Sequence, residues 1–337
     1  MIGNPNTSPA FAFRRAWILW VLLALLLVLP LLGEPYYVKL ATRMVIFGLA
    51  ALSLDLLVGY TGLISFGHAA FMGVGAYTVG ILASHGLASA WIVWPLAMLA
   101  GAVLALCIGA VSLRCNGLYF IFITLAFSQM VYYGAQSLRQ YGGDDGFSLD
   151  ISSTILPGVD ASDHTVLFYA SVVLLLAVLY ACRRLVMSPF GRVAVAVRDN
   201  ELRLQAVGVR PYPYKLAMFV VSGAIGALAG ALMANLTGFI SPGYVSWLVS
   251  GELLVMVILG SVGTLVGPIL GAALFVAFEY VLSDWTEHWM LVFGPLLVLR
   301  VLLLKDGIYG LLLRGPAASA PATGSGRAEP AGTGGQA

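Results

Sequence analysis

The sequence predicts an all-α fold: a polytopic transmembrane helix bundle of about eight to ten spans, with broken or re-entrant helices among them. Three observations carry that prediction. Of 337 residues 60% are apolar and only 9% are charged, against roughly a quarter charged in soluble domains. The mean hydropathy is +0.95. The apolar stretches run unbroken for about twenty residues, enough for a helix to cross hydrocarbon, whereas barrel strands alternate over about ten. A soluble enzyme, a nucleic-acid binder and a disordered scaffold are thereby excluded.

Apolar runs and polar breaks place ten segments, near residues 16–33, 41–58, 63–84, 91–112, 117–138, 164–182, 216–237, 251–262, 265–282 and 289–304. Arg14 and Arg15 precede the first. That run is longer than the ~7–15 residues of a signal-peptide core and no small-x-small cleavage site follows it, which favours a span. Residues 1–15 are then a cytoplasmic tail. The third segment contains Gly62, Gly67, Gly73 and Gly75, and the short eighth is closed by Gly260, Gly263, Gly267 and Pro268. Such glycines either let helices approach closely or mark broken helices beside a pathway. Residues 315–337, composed of Gly, Ala, Pro and Ser without periodicity, are expected to be disordered.

Orientation follows from the basic residues. With the N-terminus inside, 13 of the 17 Lys and Arg fall on the cytoplasmic side and only Lys39 and Arg139 sit in outer loops. This bias predicts a multi-pass protein of the inner (plasma) membrane with both termini cytoplasmic. Seven of the 17 are concentrated in the loop 183–215.

Several chemistries are missing. The three lysines, Lys39, Lys215 and Lys305, follow Val38, Tyr214 and Leu304, so no P-loop exists to hold ATP. His68, His85, His164 and His288 are scattered without ligand spacing, and Cys107, Cys115 and Cys182 have neither metal nor disulfide spacing. No GxSxG elbow is present. The sequence therefore assigns no catalytic, cofactor-binding or metal-binding residue and no nucleic-acid partner.

The 183–215 loop has a pattern of its own. From Gly191 to Gly208, Val193, Val197, Leu204 and Val207 fall on one helical face, away from Arg192, Asp199 and Arg203. Ser188 and Pro189 start this helix, Gly208 ends it, and Pro211 and Pro213 separate it from the next span. Such a helix either lies on the inner leaflet or docks a cytoplasmic partner. The mixed charge of Arg198-Asp199-Asn200-Glu201 favours docking, because acids weaken attachment to anionic lipid.

Within spans, Asp55, Glu252 and Glu279 are ionisable, with His68 beside them. Intramembrane charges default to function, yet these also fit positions at membrane edges or caps of broken helices. The spans offer almost no buried cations to pair with them, which disfavours an ion-coupled transporter. Gly142-Gly143-Asp144-Asp145-Gly146-Phe147 lacks the ligand order of a calcium loop and reads as an outer turn or a contact for an extracytoplasmic partner.

The segment LDLLVGYTGLISFGHAAFMGVGAYT (Leu54–Thr78) resembles the signature of the LivM-type permease subunits of branched-chain amino acid ABC importers. GLYFIFITLAF (Gly117–Phe127), the GGDDGF turn, FGRVAVAVRDNELRLQAVGV (Phe190–Val209), YKLAMFVVSGAIGALAGAL (Tyr214–Leu232) and SPGYVSWLVSGELLVMVILGSVGTLVGPILGAAL (Ser241–Leu274) extend the likeness in order over roughly residues 40–310. It departs from the family where VLRVLLLKDGIYGLL replaces an expected Arg-Gly pair near Asp306-Gly307. The resemblance implies that residues 16–314 form a permease domain and that the loop seats in a groove of the ATPases. Gly191, Arg192, Arg198, Asp199, Asn200, Glu201, Ala206 and Gly208 are its coupling residues on this reading. It implies a second, LivH-type permease subunit, two cytoplasmic LivG/LivF-type ATPase subunits that hold ATP and Mg, and a periplasmic solute-binding protein facing Asp144 and Asp145. Such a chain, embedded in membrane lipid, makes and breaks no bond: it moves branched-chain amino acids or a related small polar solute inward. Candidate pathway groups are Ser65, His68, Thr124, Gln129, Asn235 and Glu252, each of which also fits an interhelical hydrogen bond. The alternative is an ion-coupled secondary transporter of small organic solutes, with an intramembrane enzyme or a structural scaffold further off.

Overall fold

The computed structural model describes residues 35–115, 117–149, 153–156, 159–160 and 163–285, with isolated positions up to 295. The predicted tails 1–15 and 315–337, the predicted first span 16–33 and nearly all of 289–304 lie outside the described residues.

Eight apolar helices account for the other eight predicted segments. They are α1 (Pro35–Thr61), α2 (His68–Ser84), α3 (Ala90–Ser112), α4 (Leu118–Ser137), α5 (His164–Met187), α8 (Pro211–Thr237), α9 (Trp247–Gly260) and α10 (Gly267–Trp285). Six of them are long and apolar enough to cross a membrane. The exceptions are α2 and α9, with 17 and 14 residues. At ~1.5 Å per residue they are shorter than the ~30 Å hydrocarbon core. These are the two segments whose glycines predicted irregularity. Residues 63–67, placed inside the third span by their apolarity, form a non-helical lead-in, and α2 begins only at His68.

The core is built on α1, whose residues 45–57 are all buried. Its faces are covered by α8, α10 and α5, while α2 and α3 pack on α8. Small residues bring α2 and α8 to backbone contact. A side chain on Gly75 would strike the Ala227 carbonyl, and one on Gly230 would strike the Met72 carbonyl. Such close approach is how helices gain contact where no hydrophobic force separates lipid from protein. The α3–α8 seam repeats the device with Gly101, Ala105, Gly223 and Ala227. Exposed large apolar residues on α3 and α4, among them Trp91, Leu99, Tyr119, Phe122 and Met130, suit contact with lipid.

At the end of the bundle after α4 and α8, two short ribbons close the loops. The strand β1 (Phe147–Ser148) pairs antiparallel with β4 (Phe239–Ile240), Phe147 opposite Ile240, and β2 (Thr154–Leu156) pairs with β3 (Val159–Asp160). The turn before β1 needs its glycines, since Gly142, Gly143 and Gly146 have φ of 77°, 54° and 74°, conformations that other residues rarely adopt. At the opposite end lie α6 (Pro189–Asp199) and α7 (Glu201–Ala206).

Candidate functional site

The loop 183–215 folds as two helices, which corrects the single helix predicted from Gly191 to Gly208. Ser188 caps α6 by accepting from Gly191 N at 3.2 Å, and Pro189 occupies its first turn, where no donor is lost. The helix stops at Asn200, whose backbone is extended (φ −163°). The Asn200 side chain then caps α7, accepting from Arg203 N at 2.9 Å. The break divides the apolar stripe. Of the predicted stripe, Val197 is buried, Val193 and Leu204 are half-buried and Val207 is 77% exposed, as is Leu202 on α7, while Ala194 joins Val197 in the bundle.

Two polar ties fix this unit. The Arg198 guanidinium donates to the Gly59 carbonyl in the last turn of α1 and to Asp199 Oδ1 at 3.2 Å. Lys215 Nζ, in the first turn of α8, meets Glu201 Oε2 at 2.6 Å. The Lys215 side chain is 7% exposed and that of Glu201 33%. Gly191 lies buried against the backbone of Leu185 and Val186, leaving no room for a side chain. Arg192, Ala206 and Gly208 are exposed. An open groove of about 620 Å³ lies beside them, lined by Phe190, Gly208, Val209, Arg210, Pro213 and Tyr214.

Asp55 sits one turn before Gly59 and is fully buried. Its carboxylate accepts from Gly263 N at 2.6 Å and Leu265 N at 3.3 Å, so it caps the break between α9 and α10. Glu279 pairs with Arg43 at 2.8 Å. The Arg43 side chain is 37% exposed, so this pair sits at the margin of the bundle and is not a buried cation of the kind the sequence reading found scarce. Glu252 is half-buried on α9.

The remaining predicted polar residues divide into two places. Ser65 accepts from Gly67 N at 3.2 Å, and Thr124 accepts from Phe66 N at 3.3 Å, tying the lead-in of α2 to α4. His68 Nε2 lies 2.6 Å from Ser53 Oγ, with the ring fully buried. Gln129 is half-buried on α4. Asn235 stands apart, near the other end of the bundle, where it accepts from Ser153 N at 3.0 Å and donates to Ala231 O at 2.9 Å. Asp144 and Asp145 are exposed there, with Gln136 donating to Asp144. Among the described residues, no three or more His, Cys, Asp or Glu side chains are grouped so as to hold a metal.

Four serines were not singled out by the sequence. Ser53 and Ser222 join α1 to α8 around His68, with Ser222 Oγ donating to the Ser53 carbonyl. Ser250 of α9 accepts from Ala69 N at 2.9 Å in the first turn of α2, and Ser128 donates to the Val245 carbonyl at 3.2 Å. A lone serine in an apolar run carries no signal of its own, because its partner lies on a helix far away in sequence.

Comparison with known proteins bears on this arrangement. The family model described as branched-chain amino acid transport system / permease component matches residues 36–301. The chain is 30% identical over 318 residues to the high-affinity branched-chain amino acid transport system permease protein LivM of Escherichia coli (strain K12), covering 88% of this chain and 75% of that protein. It is 23% identical to the permease protein LivH of the same transport system and organism, over 78% of this chain and 91% of that one. It is 28% identical to the autoinducer 2 import system permease protein LsrC of Yersinia pestis (strain Pestoides F), over 85% and 83%. No solved structure matches.

Proposed function

The chain belongs to the family of branched-chain amino acid transport system permease components, and from that membership we propose that it forms the translocation path for branched-chain amino acids or a related small polar solute. It is a multi-pass inner-membrane protein, the permease subunit of an ATP-binding cassette importer. Its proposed assembly is with a second, LivH-type permease, two LivG/LivF-type ATPases carrying ATP and Mg, and a periplasmic solute-binding protein. In the proposed orientation both termini and the α6–α7 unit are cytoplasmic, and the Asp144–Asp145 turn faces the binding protein.

The observation that carries this reading is the α6–α7 unit itself. It presents Leu202 and Val207 outward, both 77% exposed, on a scaffold tied by Arg198 to α1 and by Glu201 to α8. Exposed apolar side chains held on a rigid mount suit insertion into a partner's groove. The mount reaches the two helices around which the bundle is built, so a push on the unit is transmitted to α1 and α8. Rocking of packed helices would then open and close the path from alternate sides.

Purification of the chain from its native membrane in mild detergent tests the reading. Two P-loop proteins are expected to accompany it, and Leu202→Glu with Val207→Glu is expected to release both while the chain still inserts. Recovery of the wild-type chain without them, together with uptake under an ion gradient by the chain alone, would overturn it.

A further inference from the structure

The turn between α9 and α10 is backbone-strained, and the end of α6 reaches it. Ser261 (φ 123°) and Leu265 (φ 56°) are the only non-glycine residues with positive φ among the described residues. Such conformations persist only where the surroundings hold them, and they recur at switch segments. Here the holder is Asp55, which grips the turn with both oxygens, one on Gly263 N and one on Leu265 N. Thr264 adds an internal clasp, donating to Ser261 O at 2.9 Å and accepting from Gly267 N at 3.1 Å.

Arg198 arrives at the same point. Its guanidinium donates to the Gly59 carbonyl, and a methyl group placed on Gly263 would stand 3.6 Å from Arg198 Nη1 and 3.7 Å from Gly59 Cα. A methyl group on Gly59 would stand 2.5 Å from Gly263 Cα and 2.6 Å from Asp55 Oδ1. The last turn of α1, the strained turn and the end of the docking helix therefore share one contact. Gly59 and Gly263 meet backbone to backbone, and α6 joins them through the Arg198 side chain, so a shift of α6 that withdraws the guanidinium is felt where α1 and the turn touch.

We propose that Asp55 is a positioning residue that latches the 261–266 turn, and that withdrawal of Arg198 as the docking unit moves releases the latch. Nucleotide-driven motion then enters the bundle at the α9–α10 break as well as through α1 and α8. This rests on the reading of α6–α7 as the ATPase-docking unit.

The test is hydrogen–deuterium exchange on the complex of the chain with its partner permease and ATPases, compared between ADP and ATP with orthovanadate. In the wild type, peptides spanning 261–266 are expected to exchange at least about tenfold faster in the trapped state, the loss of one charge-assisted hydrogen bond per amide. Asp55→Asn keeps the size of the side chain but replaces one accepting oxygen with a donor. Its turn is expected to exchange fast in both states, with ATP hydrolysis retained and uptake of leucine reduced. Arg198→Gln, on an exposed side chain, carries the same exchange expectation should Asp55→Asn fail to fold. A merely structural Asp55 would lower stability and leave the nucleotide response intact. If ATPases accompany the chain and the wild-type turn ignores nucleotide, or a variant keeps the wild-type response, the latch is refuted and the docking reading stands. If no ATPases accompany the chain, both fall.

Discussion

Replacing Gly75 with alanine should destabilise the bundle, while the same change at Gly134 should not. A methyl group on Gly75 would stand 2.7 Å from Ala227 Cα, and one on Gly230 would stand 2.7 Å from Met72 Cα. Carbon atoms settle at ~3.5–4.0 Å, so either methyl forces α2 and α8 apart by about 1 Å. The obstacles are backbone atoms, which cannot rotate aside. Overpacking of this kind costs ~1–3 kcal/mol, and the gain in helix propensity from Gly to Ala returns at most ~1 kcal/mol. Because the obstacle is backbone at both positions, the upper end of that cost applies, and a net loss of about 2 kcal/mol is expected for Gly75→Ala or Gly230→Ala. At Gly134, within α4, nothing lies within 4 Å of the added methyl, so only the propensity gain remains. Thermal unfolding of the purified chain in detergent, followed by circular dichroism, reads the difference. The double variant should lose less than the two single losses combined, because one separation relieves both clashes. A Gly75→Ala midpoint equal to that of the wild type, or a Gly134→Ala midpoint lowered as much as that of Gly75→Ala, would refute the backbone contact.

Ser53→Ala removes the partner of His68 Nε2 in a fully buried site; a loss of about 1–3 kcal/mol is expected in the same unfolding measurement. Glu201→Gln leaves the buried Lys215 ammonium against a neutral acceptor, and because Glu201 is one-third exposed the expected loss is about 1–2 kcal/mol. A double-mutant cycle with Lys215→Met isolates that coupling, and a cycle that closes at zero would remove the tie between α7 and α8. Asn200→Ala deletes the cap of α7 at a cost of about 1 kcal/mol, and limited proteolysis is expected to cut faster between residues 200 and 208 while the remaining sites are unchanged. In a background lacking the three native cysteines, Leu202→Cys should react with an impermeant thiol reagent only from the cytoplasmic side and Asp144→Cys only from the outer side; the converse pattern would reverse the proposed topology.

Much of the fold was legible because apolarity is a local property. Eight of the predicted segments are helices, and the two read as irregular from their glycines and proline are the two short ones, α2 and α9. The α6–α7 unit was legible in outline as a helical element: Ser188 and Pro189 mark its start, and the charge mixture at Arg198–Glu201 marks its middle. Its break was missed because the valine stripe continues past Asn200 in sequence, although Asn followed by an acidic first turn is itself a helix-start signal. What no pattern could supply were the long-range pairings. Asp55 and Gly263 are 208 residues apart, Arg198 and Gly59 are 139 apart, and Arg43 and Glu279 are 236 apart. Each side chain alone reads as a costly intramembrane group or a surface charge, and only the packing of α1 decides which partner it meets. The polar residues expected along a pathway divide between the α2 lead-in and the far end at Asn235, since hydrogen bonding to neighbouring backbone serves a membrane helix as well as lining a path.

ATP-driven uptake of radiolabelled leucine into proteoliposomes tests this reading most directly. The chain is reconstituted with its partner permease and both ATPases, with the solute-binding protein supplied on the opposite side from the ATPases. Accumulation is expected to require ATP and the binding protein, to survive dissipation of ion gradients by ionophores, and to vanish with the Leu202→Glu/Val207→Glu docking variant. Uptake by the chain alone, abolished by ionophores and indifferent to ATP, would contradict it.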